Sequence, residues 1–249
     1  LRCVAWAVAD GTHLKMTRSA SAVTMAASDG GGVTVAGSGT GTLTLSGTAA
    51  DLQTYLDTVS NVQYTGAANA SGNDAATVSV SVGDGTDTTS LGSVNIDITA
   101  VNDAPEVTAP ASIAVTEDVS TALTGISFAD VDAGGSSVTA TLSVPSGSLT
   151  AISGSGVTVG GTASALTLTG TIADINAFIA ASGVSFTTAA NATDAVTLTA
   201  SIDDGGNSGT GGAQTDSTTV TLDVTAVNDA PTGSGLPTDL TVTEDTAGN

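Results

Sequence analysis

Basic, aromatic and sulfur-bearing residues are scarce in this 249-residue chain. Only 3 lysines and arginines stand against 24 aspartates and glutamates, a formal net charge of −21. A surface of that sign repels phosphate backbones and anionic head groups. It argues against nucleic-acid partners and electrostatic membrane docking, and it attracts cations. A single cysteine, Cys3, has no partner for an internal disulfide, so the fold must hold without covalent staples. A single histidine, His13, leaves little from which to build a Ser/His/Asp relay, and aromatics at 2% give a sugar-cleaving cleft few walls. The expectation is a protein that is not an enzyme. No apolar run approaches the roughly 18 residues a spanning helix needs, so direct membrane insertion of this segment is not expected either. Arg2, Lys15 and Arg18, with Trp6, His13, Cys3 and Met16, crowd into residues 1–20, and the matching part of the second copy contains none of these residue types.

What the chain does have is repetition. VNDAP occurs at Val101–Pro105 and again at Val227–Pro231, a spacing of 126 residues from Asn102 to Asn228, about the size of one ordinary domain. The copies match away from this joint as well. GTLTLSGTAADLQTYL (41–56) answers ASALTLTGTIADINAFI (163–179), AANA (67–70) answers AANA (189–192), and SVGDG (81–85) answers SIDDG (201–205). After the second joint LTVTED (240–245) repeats IAVTED (113–118). The expected organisation is repeat 1 over 1–101 with a truncated or divergent start, repeat 2 over 102–231, and the first strand of repeat 3 within 232–249. That pattern reads as an excerpt from a longer array.

Within each copy apolar residues alternate with polar ones. Val78, Val80 and Val82 alternate with Ser79 and Ser81, and Val94, Ile96 and Ile98 with Asn95, Asp97 and Thr99. In the second copy Val220, Leu222 and Val224 alternate with Thr221 and Asp223. This is the period of strands with one face to a core and one to water. Clusters of Gly, Asn, Asp and Ser, such as 132–137 and 203–212, punctuate the runs as turns. The period changes once per copy. Thr48 with Asp51, and Thr171 with Asp174, are S/T-x-x-D helix starts. The stripes that follow, Leu52, Tyr55, Leu56 and Val59 and then Ile175, Phe178 and Ile179, have helical spacing. The fold class expected is all-β: tandem antiparallel β-sandwich domains, each with one short helix.

Carboxylates in the second copy collect at strand ends and loops: Asp103 beside Asn102 in the joint, Glu117 and Asp118, Asp130 and Asp132, and Asp203 and Asp204. Which end of a sandwich each pair occupies is not readable from periodicity. Asp and Asn also favour turns because their side chains bond local backbone. Taken together the set suits calcium, a hard cation that takes six to eight oxygen ligands in flexible geometry. Magnesium wants tighter geometry, and zinc would want His or Cys, which these positions lack.

The joint, preceded by an alternating strand and followed by TED (116–118) and DVDAGG (130–135), resembles the cadherin-like repeats of large bacterial surface adhesins, including those exported by RTX-type secretion. The resemblance implies Ig-like sandwiches in tandem, Ca²⁺ between successive domains, and an extracellular or cell-surface location. Carried over residue by residue, it implies a first junction of Asp84, Asn102, Asp103, Asp130 and Asp132, and a second of Glu117, Asp118, Asp203, Asp204, Asn228 and Asp229. The function implied is a calcium-binding structural and adhesive module whose joints are stiffened by the ion, with neighbouring repeats as partners. A different reading makes the chain a subunit of a head-to-tail filament. In it, residues 232–249 of an identical subunit complete copy one, which shows no equivalent of Ile113–Thr116, by β-strand addition.

Overall fold

The computed structural model describes residues 13–21, 23–230, 233 and 235. The opening strand expected at Leu240–Asp245, and Cys3 with its neighbours in 1–12, lie outside the described residues. The chain divides into two compact units. One takes the chain up to Pro105 together with Asp130–Ser137 and Asp203–Thr215; the other takes Glu106–Ala129, Val138–Ile202 and the chain from Asp216 onward.

The first unit contains β1 (His13–Ala20), β2 (Val23–Ala27), β3 (Thr34–Ala36), β4 (Thr42–Thr48), α1 (Ala49–Asp57), β5 (Val62–Gly66), β6 (Gly72–Gly83) and β7 (Thr88–Ile98). One sheet runs β3-β4-β1-β6-β7 and a second pairs β2 with β5. Alternation does the positioning: Met16 on β1 lies opposite Leu45 on β4 and Val82 on β6. Leu14, Met16, Leu43, Leu45, Val78 and Val80 thereby point to one face, where they pack with Met25, Leu52 and Tyr55. The two sheets and the helix close this core.

α1 starts as expected. Thr48 Oγ1 accepts from Asp51 N at 3.2 Å and donates to the Asp51 carboxylate at 2.7 Å, which satisfies one of the helix's unpaired first-turn N–H groups. Leu52, Tyr55 and Leu56 are buried. Val59 departs from the expectation and is 95% exposed, because the helix ends at Asp57 and Thr58 turns extended before the stripe reaches its fourth member.

The second unit repeats this order and adds to it. β8 (Glu106–Thr108), β9 (Ser112–Thr116), β10 (Thr121–Ala122) and β11 (Ser127–Ala129) come first. They are followed by β12 (Ser137–Ser143), β13 (Ser148–Ala151), β14 (Thr158–Thr162), β15 (Ala165–Thr171), α2 (Ile172–Ala180), β16 (Val184–Thr187), β17 (Val196–Asp203) and β18 (Thr215–Thr225). The main sheet runs β14-β15-β12-β17-β18-β9, faced by β10-β16-β13, with β8 paired to β11. Phe186, Leu142, Leu149, Leu168, Ile175, Ile179 and Leu198 are fully buried, and α2 is capped by Thr171 as α1 is by Thr48.

From β12 to β18 the order of elements matches β1 to β7. The four leading strands, β8 to β11, have no counterpart among the described residues of the first unit. β9 joins β18 in parallel, an exception to the antiparallel pairing expected. The chain is thus two β-sandwich modules in tandem, each with one short helix. No helix among the described residues is long and apolar enough to cross a membrane.

Candidate metal centres

The first joint begins where β7 ends. Its backbone is stitched to the glycine-rich loop between β17 and β18: Thr210 N donates to Ala100 O, and Asn102 N donates to Thr210 O, both at 2.9 Å. Asn102 is 4% exposed, and its Nδ2 donates to Asp204 Oδ2 at 2.6 Å and to Gly212 O at 3.0 Å. Gln214 Nε2 donates to Asn102 O. Asp204 is itself buried, and its Oδ1 accepts from Gly206 N and Gln214 N at 2.8 Å each. Burial pushes the Asp204 carboxyl up, but the donors from Gln214, Gly206 and Asn102 together hold it below the usual carboxylate range. Both of its oxygens are engaged in organising the loop.

The Asp130–Ser137 loop supplies the other half. Asp130 Oδ1 accepts from Asp132 N at 3.0 Å and Ala133 N at 3.1 Å; Asp132 Oδ2 accepts from Asp103 N at 2.9 Å; Ser208 Oγ donates to Asp132 O at 2.8 Å. Each carboxylate therefore spends one oxygen on backbone. The other oxygen, Asp130 Oδ2 and Asp132 Oδ1, is buried and has no hydrogen-bond partner. Asp103 and Asp132 border a cleft of about 300 Å³ whose wall includes Ile98 to Val101. Burial pushes the Asp130 carboxyl up, and its lean against Asp132 adds to this. Asp132 is held down, chiefly by the Asp103 N–H and next by Asp130, against the opposing charge of Asp204. Two buried carboxylate oxygens without donors are costly in an apolar setting and are the ligand type a hard cation takes. The residues present fit calcium.

A second cluster forms at the end of β9 in the other unit. Glu117 is 2% exposed; its N donates to Thr225 O at 3.0 Å, and its Oε2 accepts from Val227 N at 3.0 Å. Its Oε1 is buried without a partner. Asp118, at φ 59°, donates its N–H to Thr188 Oγ1. One oxygen from each of Glu117, Asp118 and Asp229 lies within 4.8 Å of the others. Three carboxylates at this separation repel by roughly 1 kcal/mol per pair in a watery setting and several-fold more when partly desolvated, a penalty a divalent ion reverses.

The structure thus brings Asn102, Asp103, Asp130 and Asp132 together and regroups the rest. Asp84 lies in the turn from β6 to β7. There its Oδ1 accepts from Thr86 N and Asp87 N at 2.9 Å, bonds that hold its carboxyl below the usual range. The length of β7, roughly 35 Å at about 3.3 Å per residue, separates it from the joint. Asp204, expected at the second junction, is bonded to Asn102 at the first. The reason is that β17 ends beside the start of β18, whereas the second joint follows the far end of β18. Asp203 caps its own turn by accepting from Gly205 N at 2.8 Å. Asn228 Nδ2 donates to Asp229 O at 3.3 Å.

Gln214, Ser208 and Gly209 were not anticipated, since a glycine-rich loop reads in sequence only as punctuation. Gly209 has φ +78°, and a Cβ there would sit 2.6 Å from Val101 C and 2.7 Å from Asn102 N. Gly209→Ala is therefore expected to cost more than about 2 kcal/mol, combining left-handed strain with displacement of the joint backbone. Urea unfolding checks this, and wild-type stability in the variant would contradict the close packing of loop on joint.

No protein-family model and no curated protein sequence matches the chain. Among solved structures it is similar to domains 1–6 of the surface layer protein SbsC (14% identity, TM-score 0.28, 84% of this chain and 20% of that one). It is also similar to the EC22–24 segment of mouse cadherin-23 (15%, 0.34, 84% and 55%). A third likeness is to the C-terminal domain of the Streptococcus agalactiae AgI/II polypeptide BspA (10%, 0.27, 85% and 84%). The chain therefore spans about a fifth of the first structure's length and about half of the second's.

Proposed function

We propose that the chain is an extracellular, calcium-binding structural and adhesive repeat in which the ion orders the VNDAP joints and so stiffens a stalk. The observation that carries this reading is the set of partnerless buried carboxylate oxygens, Asp130 Oδ2 and Asp132 Oδ1 at the first joint and Glu117 Oε1 at the second. Such atoms are rare in proteins unless an ion or water satisfies them. At the first joint Asp103, Asp130 and Asp132 would hold calcium, with backbone carbonyls and water completing its shell; at the second Glu117, Asp118 and Asp229 would do so.

Bound calcium supplies the counter-charge that lets these oxygens converge. The chain's own residues do the remaining work. Asp204, Gln214 and Thr210 hold Asn102 and the joint backbone in place, Ser208 fixes the Asp132 loop, and Glu117 ties down Val227. Acidity spread over the rest of the surface favours calcium and a solvated extracellular setting.

Removal of calcium by a chelator is expected to expose residues 100–105 to limited proteolysis, with mass spectrometry locating the cut. Identical digestion with and without the chelator would count against the reading.

A further inference from the structure

In the first unit a cleft of about 600 Å³ lies between the turn after β2 and the connection from α1 to β5, wholly within that unit. Sites for small ligands span about 300 to 1,000 Å³. Tyr55 and Asn61 hold its frame. The Tyr55 hydroxyl donates to Ser28 O at 2.6 Å, and Asn61 Nδ2 donates to Tyr55 O at 3.0 Å. Asp29 Oδ1 accepts from Val35 N at 2.7 Å, which fixes that carboxylate on the cleft wall. The second copy keeps the core here, with Val157 for Val33 and Ile179 for Leu56, but replaces most of the cleft's polar groups. The Gly154–Val157 bridge matches Gly30–Val33, which sets Ser153 in place of Asp29 and Ile152, 86% exposed, in place of Ser28. Phe178, without a hydroxyl, stands for Tyr55. Gly183, where a Cβ would lie 2.6 Å from Phe178 O, stands for Asn61 in a connection one residue shorter. The differences gather at the cleft.

We propose that this cleft binds a neutral, polyhydroxylated ligand, a saccharide of one or two rings. Among the described residues no lysine, arginine or histidine lines it, so nothing there pairs a phosphate, sulfate or carboxylate, and the chain's charge of −21 repels all three. An apolar ligand gains little, because the one large ring in the lining, Tyr55, is itself 6% exposed. What the cleft offers is hydrogen bonding. Among the described residues no hydrogen bond engages Asp29 Oδ2, Ser28 Oγ, Ser60 Oγ or the Gln63 amide. A carboxylate oxygen, two hydroxyls and a primary amide together accept and donate, and sugar hydroxyls do both. Asp29 is the sole carboxylate among the lining residues described, whereas glycoside cleavage uses two, so the site binds and does not cleave. It calls on neither carboxylate cluster at the joints and is independent of calcium.

The test is an amide NMR titration of the full, isotope-labelled chain in chelator with glucose, galactose, mannose, maltose, cellobiose and lactose. At least one should bind saturably with a dissociation constant of about 1 mM, weak because no exposed ring is there for stacking. It should shift the backbone amides of Ser28, Asp29 and Ser60 and the side-chain amide of Gln63. The uronic acid of the same ring should bind at least about tenfold more weakly. Asp29→Asn, which keeps the acceptor for Val35 N, should weaken the bound sugar by at least about tenfold, and Gln63→Ala by about threefold. Both side chains are exposed, so melting of either variant should match the wild type. No saturable shift up to about 20 mM, shifts confined to other residues, or wild-type binding by both variants would each overturn the proposal. So would an amino sugar that binds at least about tenfold tighter than its neutral parent, which would assign the cleft to cationic groups. None of these results alters the chelator-dependent proteolysis expected at residues 100–105, so the two readings fail separately.

Discussion

Asp204→Ala is expected to destabilise the metal-free protein by about 3 to 5 kcal/mol. The substitution strips acceptors from three donors at once, Asn102 Nδ2, Gly206 N and Gln214 N, in a place where both Asp204 and Asn102 are almost fully buried. Each unsatisfied donor costs about 1 to 3 kcal/mol, reduced where water can reach the new gap. Urea unfolding with chelator present measures it. A cost below about 1 kcal/mol would mean that the loop holds the joint without this carboxylate, and the account of Asp204 as its organiser would be wrong.

Asp130→Asn is expected to behave in the opposite way. Asparagine keeps the Oδ1 acceptor used by Asp132 N and Ala133 N and removes a charge whose second oxygen is buried and unpartnered. In chelator the variant should therefore be as stable as the wild type or more so. With calcium at about a hundred times its dissociation constant, the wild type gains about 2.7 kcal/mol, or roughly 10 °C in melting temperature for a module of this size. The variant should lose most of that gain. An equal calcium-induced shift in both proteins would remove Asp130 from the ligand set.

Acid separates the same groups. The Asp130 carboxyl lies above its unfolded value, so its ionisation opposes folding as pH rises through that raised value, and the penalty is relieved below the unfolded one, about 3.9. Asp132 and Asp204 lie below theirs, so their contribution is present above about 3.9 and is lost as pH falls through the depressed folded values. In chelator, any advantage of Asp130→Asn over the wild type should thus exist at neutral pH and disappear below about pH 4, while both proteins weaken there together. Thermal melts across that range would show it.

The candidate sites and the fold were legible to different degrees for one reason. Alternation along Val78–Val82 or Val220–Val224 and the caps at Thr48 and Thr171 are local, and local chemistry decides strand, turn and helix start. The limit shows at Val59, where the stripe continued but the helix did not. That Asn102, Asp103, Asp130 and Asp132 would meet was inferred from a resemblance, and these residues do converge. Asp84, expected at the first junction, lies in the turn at the opposite end of β7, and Asp204, expected at the second, is bonded to Asn102 at the first, because the end of the sheet a residue reaches depends on strand direction and order.

By itself the amino-acid sequence determined the repeat, its length, the all-β character with one helix per module, and an acidic surface suited to cations, because each is set by residue type and by period along the chain. Tertiary structure alone decided that β9 runs parallel on β18, that Asp204 serves Asn102 at the first joint, and that Asp130, Asp132 and Glu117 each keep a buried oxygen without a donor. Those facts depend on which strand ends and loops are brought together in space, and spacing along the chain carries no record of that.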